Sequence, residues 1–137
     1  VYTGALDELF GFVHGRLPYR SLEFEFHRSP ERSFQPAPVV AYPSDPEIVR
    51  ITEYTKLPEQ DGEGTIYATE RSLEYEPGKG LEPYYPVLTE SSKAAHQRYV
   101  EMAEAVRNLS FCGRLADFRY YNMDQALKRA LELVATL

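Results

Sequence analysis

The chain is poor in cysteine, in net positive charge and in long apolar runs, and each shortage removes a class of protein. Its one cysteine, Cys112, excludes an internal disulfide and is in keeping with a reducing compartment. Fifteen Lys and Arg stand against 21 Asp and Glu, giving a net charge of -6 and a pI near 5.1. Nucleic-acid binders normally show a basic face, so that partner is disfavoured. An anion site in such a chain must be built from a few local arginines. No apolar run reaches the length of a membrane span, and the opening residues do not read as a signal peptide, so a cytoplasmic protein is expected. No Ser/His/Asp or Cys/His set, P-loop or G-x-G-x-x-G occurs. His14, His27 and His96 are scattered without ligand spacing, so no metal is expected. Cys112 reads as a small buried strand residue.

What is present is ordinary globular composition. The 137 residues suffice for one domain with a modest core, with 43% hydrophobic and 26% charged residues. Val1 to Gly4 reads as the end of a strand already under way, as though the chain were a piece of something larger. Ala5 to Val13 carries Leu6, Leu9, Phe10 and Val13 at helical spacing, stopped by Gly15 and Pro18. Ser21 to His27 alternates, which predicts a half-buried strand with Leu22, Phe24 and Phe26 on the core side. Val39 to Tyr42, Ile48 to Leu57 and Thr65 to Tyr75 read as further strands separated by proline and glycine turns. Short strands joined by turns predict an antiparallel sheet. After a stiff Pro/Gly connector, Ser91 to Asn108 is an amphipathic helix with Ala95, Tyr99, Met102, Ala103 and Val106 on one stripe. Leu109 to Cys112 is a short apolar strand. A last helix starts at Met123, with Asn122 as N-cap, Gln125 at the capping-box position, and Leu127, Leu131 and Val134 as its apolar face. The fold class is therefore α+β: an antiparallel sheet inserted between strand-helix pieces of one α/β layer.

Three stretches carry more functional groups than a core or a surface needs. Arg50 shares the polar side of a strand with Thr52 and Tyr54. Spacing alone favours a solvated face, against a guanidinium that grips a diphosphate bidentately. In Glu82-Pro83-Tyr84-Tyr85-Pro86, two prolines stiffen a tyrosine pair, either to pack it over a core edge or to present a phenol to a ligand oxygen. Pattern alone leaves both open. In the third, Gly113-Arg114-Leu115 leads to Arg119, Tyr120 and Tyr121 just ahead of the last helix, whose positive N-terminus suits an anion or an electron-rich oxygen. A cap explains Asn122 but not the arginines and tyrosines beside it.

Taken in order, these stretches resemble the UDP-galactopyranose mutases, a family of flavoenzymes. The likeness is carried by Val1-Tyr2-Thr3-Gly4 with Leu6-Asp7, Leu17-Pro18-Tyr19-Arg20-Ser21-Leu22, Val49-Arg50-Ile51-Thr52-Glu53, Pro83-Tyr84-Tyr85-Pro86-Val87, and Gly113-Arg114-Leu115 through Tyr120 to Met123. It spans the whole chain; each motif alone is weak, and five in sequence are specific. The resemblance implies a C-terminal third to two-fifths of such an enzyme. Residues 1–17 would be a fragment of the FAD-binding domain, 18–88 an antiparallel-sheet substrate-side domain, and 89–137 the C-terminal part of the FAD-binding domain. The implied reaction interconverts UDP-galactopyranose and UDP-galactofuranose for cell-surface polysaccharide or lipopolysaccharide synthesis. The implied cofactor is FAD, active when reduced and acting as a nucleophile. Arg50 would be the catalytic, diphosphate-binding arginine, with the phenols of Tyr85 and Tyr120 on the same diphosphate. Arg114, Tyr121, Asn122 and Met123 would meet the flavin. A UDP-sugar substrate and a homodimer are the expected partners. The family's glycine-rich FAD segment is not among these residues, so the 137 residues alone are expected to be inactive. At Asn122 the family usually carries Asp; asparagine keeps the cap and loses the charge, leaving room for an altered sugar nucleotide. Two other readings stand beside this one: a non-catalytic nucleotide- or protein-binding sheet module, and a related flavoprotein of amine-oxidase-like fold.

Overall fold

A computed structural model describes all 137 residues. They divide into two units, one made of Val1–Arg20 with Glu82–Leu137, the other of Ser21–Leu81. The α+β reading holds: an antiparallel sheet accompanied by a few helices. No helix is long and apolar enough to cross a membrane.

The contiguous unit is built on sheet. Strand β1 (Tyr19–Ser29) takes its first two residues from the Val1–Arg20 segment and the rest from this unit, followed by β2 (Val39–Ala41), β3 (Ile48–Glu53) and β4 (Thr65–Glu74), in the order β2-β3-β4-β1. β3 pairs antiparallel with β2 and with β4, placing Arg50 opposite Glu70 and Thr52 opposite Ala68, with a bulge between Ile48 and Arg50. β3 stops at Glu53, short of the expected Leu57. The backbone turns there, Lys56 N–H donating to the Glu53 carbonyl and Leu57 N–H to that of Tyr54. At Gly64, φ is +81°, and a Cβ would meet the Ser29 carbonyl oxygen at 2.5 Å, so only glycine fits.

Two expectations about this sheet need correction. β1 does not bury Leu22, Phe24 and Phe26. Its fully buried residues are Tyr19 and Ser21, and Phe26 is 65% exposed. The apolar side of the strand is covered by single aromatic contacts rather than a core: Phe26 stacks on Tyr54 at 5.9 Å. On the other side His27 stacks on Tyr67, and Tyr67 on Phe34. β3 buries Ile51, Thr52 and Glu53 in succession instead of alternating. Polar residues are tolerated there because their partners are buried with them.

The other unit is discontinuous in sequence. The two expected end strands reduce to one parallel bridge, Tyr2 to Phe111, with Tyr2 N–H donating to Ser110 and Cys112 N–H to Tyr2. Helix α1 (Leu6–Leu9) is shorter than the predicted Ala5–Val13, because Gly11 and Phe12 take φ values of +61° and +60°. Strand β5 (Tyr85–Pro86) pairs antiparallel with Tyr19 and Arg20. Helix α2 (Glu90–Glu104) begins one residue earlier than predicted and ends four earlier. Thr89 caps it: Ser92 N–H donates to Thr89 Oγ1, and Thr89 N–H to Ser92 Oγ. Its buried residues are Ser92, Tyr99 and Ala103, and α1 packs against it. The Tyr99 hydroxyl donates to the Gly15 carbonyl at 2.6 Å and accepts from His14 N–H at 2.9 Å. Leu6, Leu17, Tyr19, Ala116 and Phe118 complete the core, with Tyr19 and Phe118 edge to face and Phe118 stacked on His96.

Helix α3 (Met123–Val134) starts where predicted, with Asn122 extended at the N-cap and its N–H donating to Gln125 Oε1 at 2.9 Å. Its predicted apolar face is uncovered. Leu127, Leu131 and Val134 are 61%, 62% and 66% exposed, and the half-buried side is Ala126, Arg129, Ala130 and Leu133.

Candidate functional site

The segment ahead of α3 is folded tightly on itself. Gly113 has φ +110°, a value side-chain-bearing residues rarely adopt, and it turns the chain out of the Phe111 bridge. Asp117 N–H then donates to Gly113, Phe118 N–H to Leu115 and Arg119 N–H to Arg114. This turn sends the Arg114 side chain across the front of the helix. Its Nη2 donates to the Tyr121 carbonyl at 3.1 Å, and Nη1 reaches the Tyr84 carbonyl at 3.4 Å. Its guanidinium lies over the Tyr85 ring, 4.7 Å from the centroid, and Tyr85 stacks in turn on Tyr120 at 5.6 Å and 19°.

Tyr85 has little freedom to move. It sits in β5 between Tyr84 N–H, which donates to Arg20, and Val87 N–H, which donates to Pro18. Tyr120 is more than half exposed and Tyr85 half-buried, so the stack has one open end. Tyr121 is not part of this stack. Its phenol donates to Asp117 Oδ2 at 3.1 Å, and its pKa is raised by burial and then by the Asp117 carboxylate. Asn122 is exposed, and Met123 is 92% exposed at the helix start. Arg114, Tyr85, Tyr120 and Tyr121 thus form one cluster, and Asn122 and Met123 continue from it.

Asp117 and Arg129 belong to the same cluster, and no local sequence signal marks them. Asp117 accepts from Gly113 N–H at 2.9 Å and from the Arg129 guanidinium at 3.2–3.3 Å. Arg129 also donates to the Phe111 carbonyl. These residues line a cavity of about 560 Å³ together with Lys93, His96, Arg119 and Tyr121. His96 Nε2 donates to the Ala116 carbonyl at 2.8 Å, and burial lowers its pKa. An aspartate and an arginine twelve residues apart leave no local pattern; only the closed turn brings them together.

Arg50 lies in the sheet unit. Its Nε donates to Glu70 Oε2 at 2.6 Å, while Thr52 Oγ1 donates to Glu70 Oε1 at 3.0 Å. The Glu70 side chain is 3% exposed and that of Arg50 42%, so the guanidinium is anchored on one edge and open on another. Beside it, the buried Glu53 carboxylate accepts from Phe34 N–H, Gln35 N–H, the Thr65 hydroxyl and Lys56. Burial alone would raise its pKa, but these donors outweigh it and hold the value at about 2.

A family model described as UDP-galactopyranose mutase matches residues 1–120. The chain belongs to the UDP-galactopyranose mutase family. Arg50, Tyr85, Arg114 and Tyr120 fall inside the match, and Tyr121, Asn122 and Met123 follow it. The chain is 39% identical to the UDP-galactopyranose mutase of Mycoplasma pneumoniae over 96% of its own length and 34% of the relative's. It is 35% identical to that of Mycoplasma genitalium over 98% of its length and 35% of the relative's. It is 33% identical to a dTDP-fucopyranose mutase of Escherichia coli, again covering 96% of this chain and 35% of the relative. It spans about a third of the length of the curated mutases it matches.

Proposed function

We propose that this chain is the C-terminal portion of a flavin-dependent mutase that interconverts UDP-galactopyranose and UDP-galactofuranose, supplying cell-surface polysaccharide or lipopolysaccharide synthesis in the cytoplasm. The observation that carries the reading is the Arg114–Tyr85–Tyr120 stack at the front of α3, in a chain of this family.

The residues present fit a flavin beside a diphosphate. The first turn of α3 leaves backbone N–H groups without intrahelical partners and carries partial positive charge. Arg114 adds a full charge at the same end, and exposed Met123 offers an apolar contact for a ring. Reduced flavin, when bound, would supply the nucleophile for the anomeric carbon. The work left to this chain is to hold UDP while it is detached from the sugar. The phenols of Tyr85 and Tyr120 would donate to diphosphate oxygens, and in the sheet unit the open edge of the Arg50 guanidinium is suited to an anion. Arg50 is the residue to which we assign the catalytic contribution. Arg114, Tyr121, Asn122 and Met123 would border the flavin.

A second reading concerns the sugar. The Escherichia coli relative is named for dTDP-fucopyranose, and Asn122 stands where the resemblance leads one to expect Asp, so a different sugar nucleotide fits the same framework. The test is to purify the full-length protein, record its flavin absorbance, reduce it chemically, and follow UDP-galactofuranose by chromatography. Conversion to the pyranose form supports the proposal. Conversion of a dTDP-sugar alone moves it to the second reading. Nucleotide binding without flavin or turnover would leave a binding module.

A further inference from the structure

Asp117 is tied to three residues of the site, Gly113, Tyr121 and Arg129. Both carboxylate oxygens are engaged, and the side chain is only 9% exposed. Oδ2 accepts from Gly113 N–H, from the Tyr121 hydroxyl and from Arg129 Nε, and Oδ1 accepts from Arg129 Nη2. Each donor controls a different part of the cluster. Gly113 immediately precedes Arg114. Tyr121 supplies the carbonyl that receives Arg114 Nη2. Arg129 belongs to α3 and also holds the Phe111 carbonyl, so it ties the helix to the bridge strand. One carboxylate therefore fixes the residue before Arg114, the residue that receives its side chain, and the helix that follows.

We propose that Asp117 is a positioning residue: through Gly113, Tyr121 and Arg129 it holds Arg114 over Tyr85 and keeps the Tyr85–Tyr120 stack in register for a nucleoside diphosphate. The inference rests on the mutase reading for its ligand, not for its geometry. Asp117 touches neither sugar nor nucleotide; its effect passes through Arg114. Both halves of the arrangement depend on its charge. An amide at this position has one acceptor oxygen for four donors, and its own NH2 would point at the Arg129 guanidinium. Removing one partner of a buried charged pair leaves the other uncompensated, whereas replacing both with neutral groups restores a match.

The experiment uses full-length protein with Asp117→Asn, Arg129→Gln and the two together. Two readouts are taken on the folded fraction. The first is the nuclear magnetic resonance shift of the Arg114 side-chain protons, which the Tyr85 ring displaces upfield in the wild type. The second is UDP affinity by calorimetric titration. Asp117→Asn should move the Arg114 shifts toward free-arginine values and weaken UDP binding by about tenfold, the size of one lost hydrogen bond to a charged group. The double variant should recover part of both. If Asp117→Asn fails to fold, the double variant against Arg129→Gln alone decides the question by the same readouts. Unchanged Arg114 shifts and UDP affinity in folded Asp117→Asn, with only a lower melting temperature, would make Asp117 purely structural and overturn the proposal. If wild type binds no UDP, the mutase reading falls, and the Arg114 shifts still decide whether Asp117 positions that side chain.

Discussion

The Arg114 guanidinium rests on the face of the Tyr85 ring at 4.7 Å, and the other partner of that ring is Tyr120. Tyr85 therefore has two separable parts, a ring that seats a cation and a hydroxyl left over for a ligand. Tyr85→Phe keeps the ring. It is expected to weaken UDP binding by about 1.5–3 kcal/mol, the range for a hydrogen bond to a charged group. Tyr85→Leu also removes the cation–π contact and should cost about 0.5–1 kcal/mol more. Calorimetric UDP titration of the full-length variants checks both, and equal affinity in wild type and Tyr85→Phe would take the phenol off the diphosphate.

Arg50→Ala should act twice. Loss of the proposed diphosphate contact is expected to weaken UDP binding by about 1.5–3 kcal/mol. The substitution also strips buried Glu70 of its ion-pair partner, leaving the Thr52 hydroxyl. Because Arg50 is itself partly exposed, that second cost should be only about 1–2 kcal/mol of stability. Arg50→Lys should rescue neither fully, since an ammonium cannot grip Glu70 through Nε and offer a fork to a phosphate together. Thermal melts beside UDP titrations separate the two effects. Full affinity in Arg50→Ala would return this arginine to a purely structural role.

The sheet unit should fail in acid through Glu53. Its folded pKa of about 2 lies below the ordinary value of 4.5, so its contribution is complete above pH 4.5 and is lost as pH falls toward 2. Melting temperature measured across that interval should drop more steeply in wild type than in Glu53→Gln, which cannot titrate. Parallel curves would show that other carboxylates govern the acid limit.

Asn122→Asp should change function more than stability. Asparagine and aspartate are near-equal caps, so the capping difference is a few tenths of a kcal/mol. The new charge gains from the helix dipole yet sits close to Arg114 and to the proposed ligands. The expectation is a changed ratio of turnover on UDP- and dTDP-sugars at nearly constant melting temperature. An unchanged ratio would leave Asn122 as a cap alone.

Local signals carried the elements that need no distant help. The Asn122/Gln125 start of α3 was legible because a cap and its partner lie three residues apart. The turns around the strands were legible from glycine and proline. Burial was not. Leu22, Phe24 and Phe26 have the period of a core-facing strand, but which side of β1 is covered depends on what packs there, and Tyr19 and Ser21 took the buried positions. Leu127, Leu131 and Val134 have helical period and remain uncovered. In the site, the crowding of arginines and tyrosines marks Arg114 and Tyr120, and the flanking prolines mark Tyr85, since such side chains are rarely gathered without a use. Asp117 and Arg129 had no such signal: one more acid and one more base in an acidic chain are ordinary until Gly113 bends them together.

The split layout of Val1–Arg20 with Glu82–Leu137 also bears on synthesis. As the polypeptide leaves the ribosome, Ser21–Leu81 has all its own strands available and can close neighbouring pairs at small entropic cost. Tyr2 must wait for Phe111, and Tyr85 for Arg114. Amides of β3 and β4 should therefore gain exchange protection on nascent chains once Leu81 has cleared the ribosomal exit tunnel, while the Tyr2 amide gains it only once Cys112 has done so. The arginine–tyrosine stack would then be among the last features to form, and an interrupted product would carry the sheet without it.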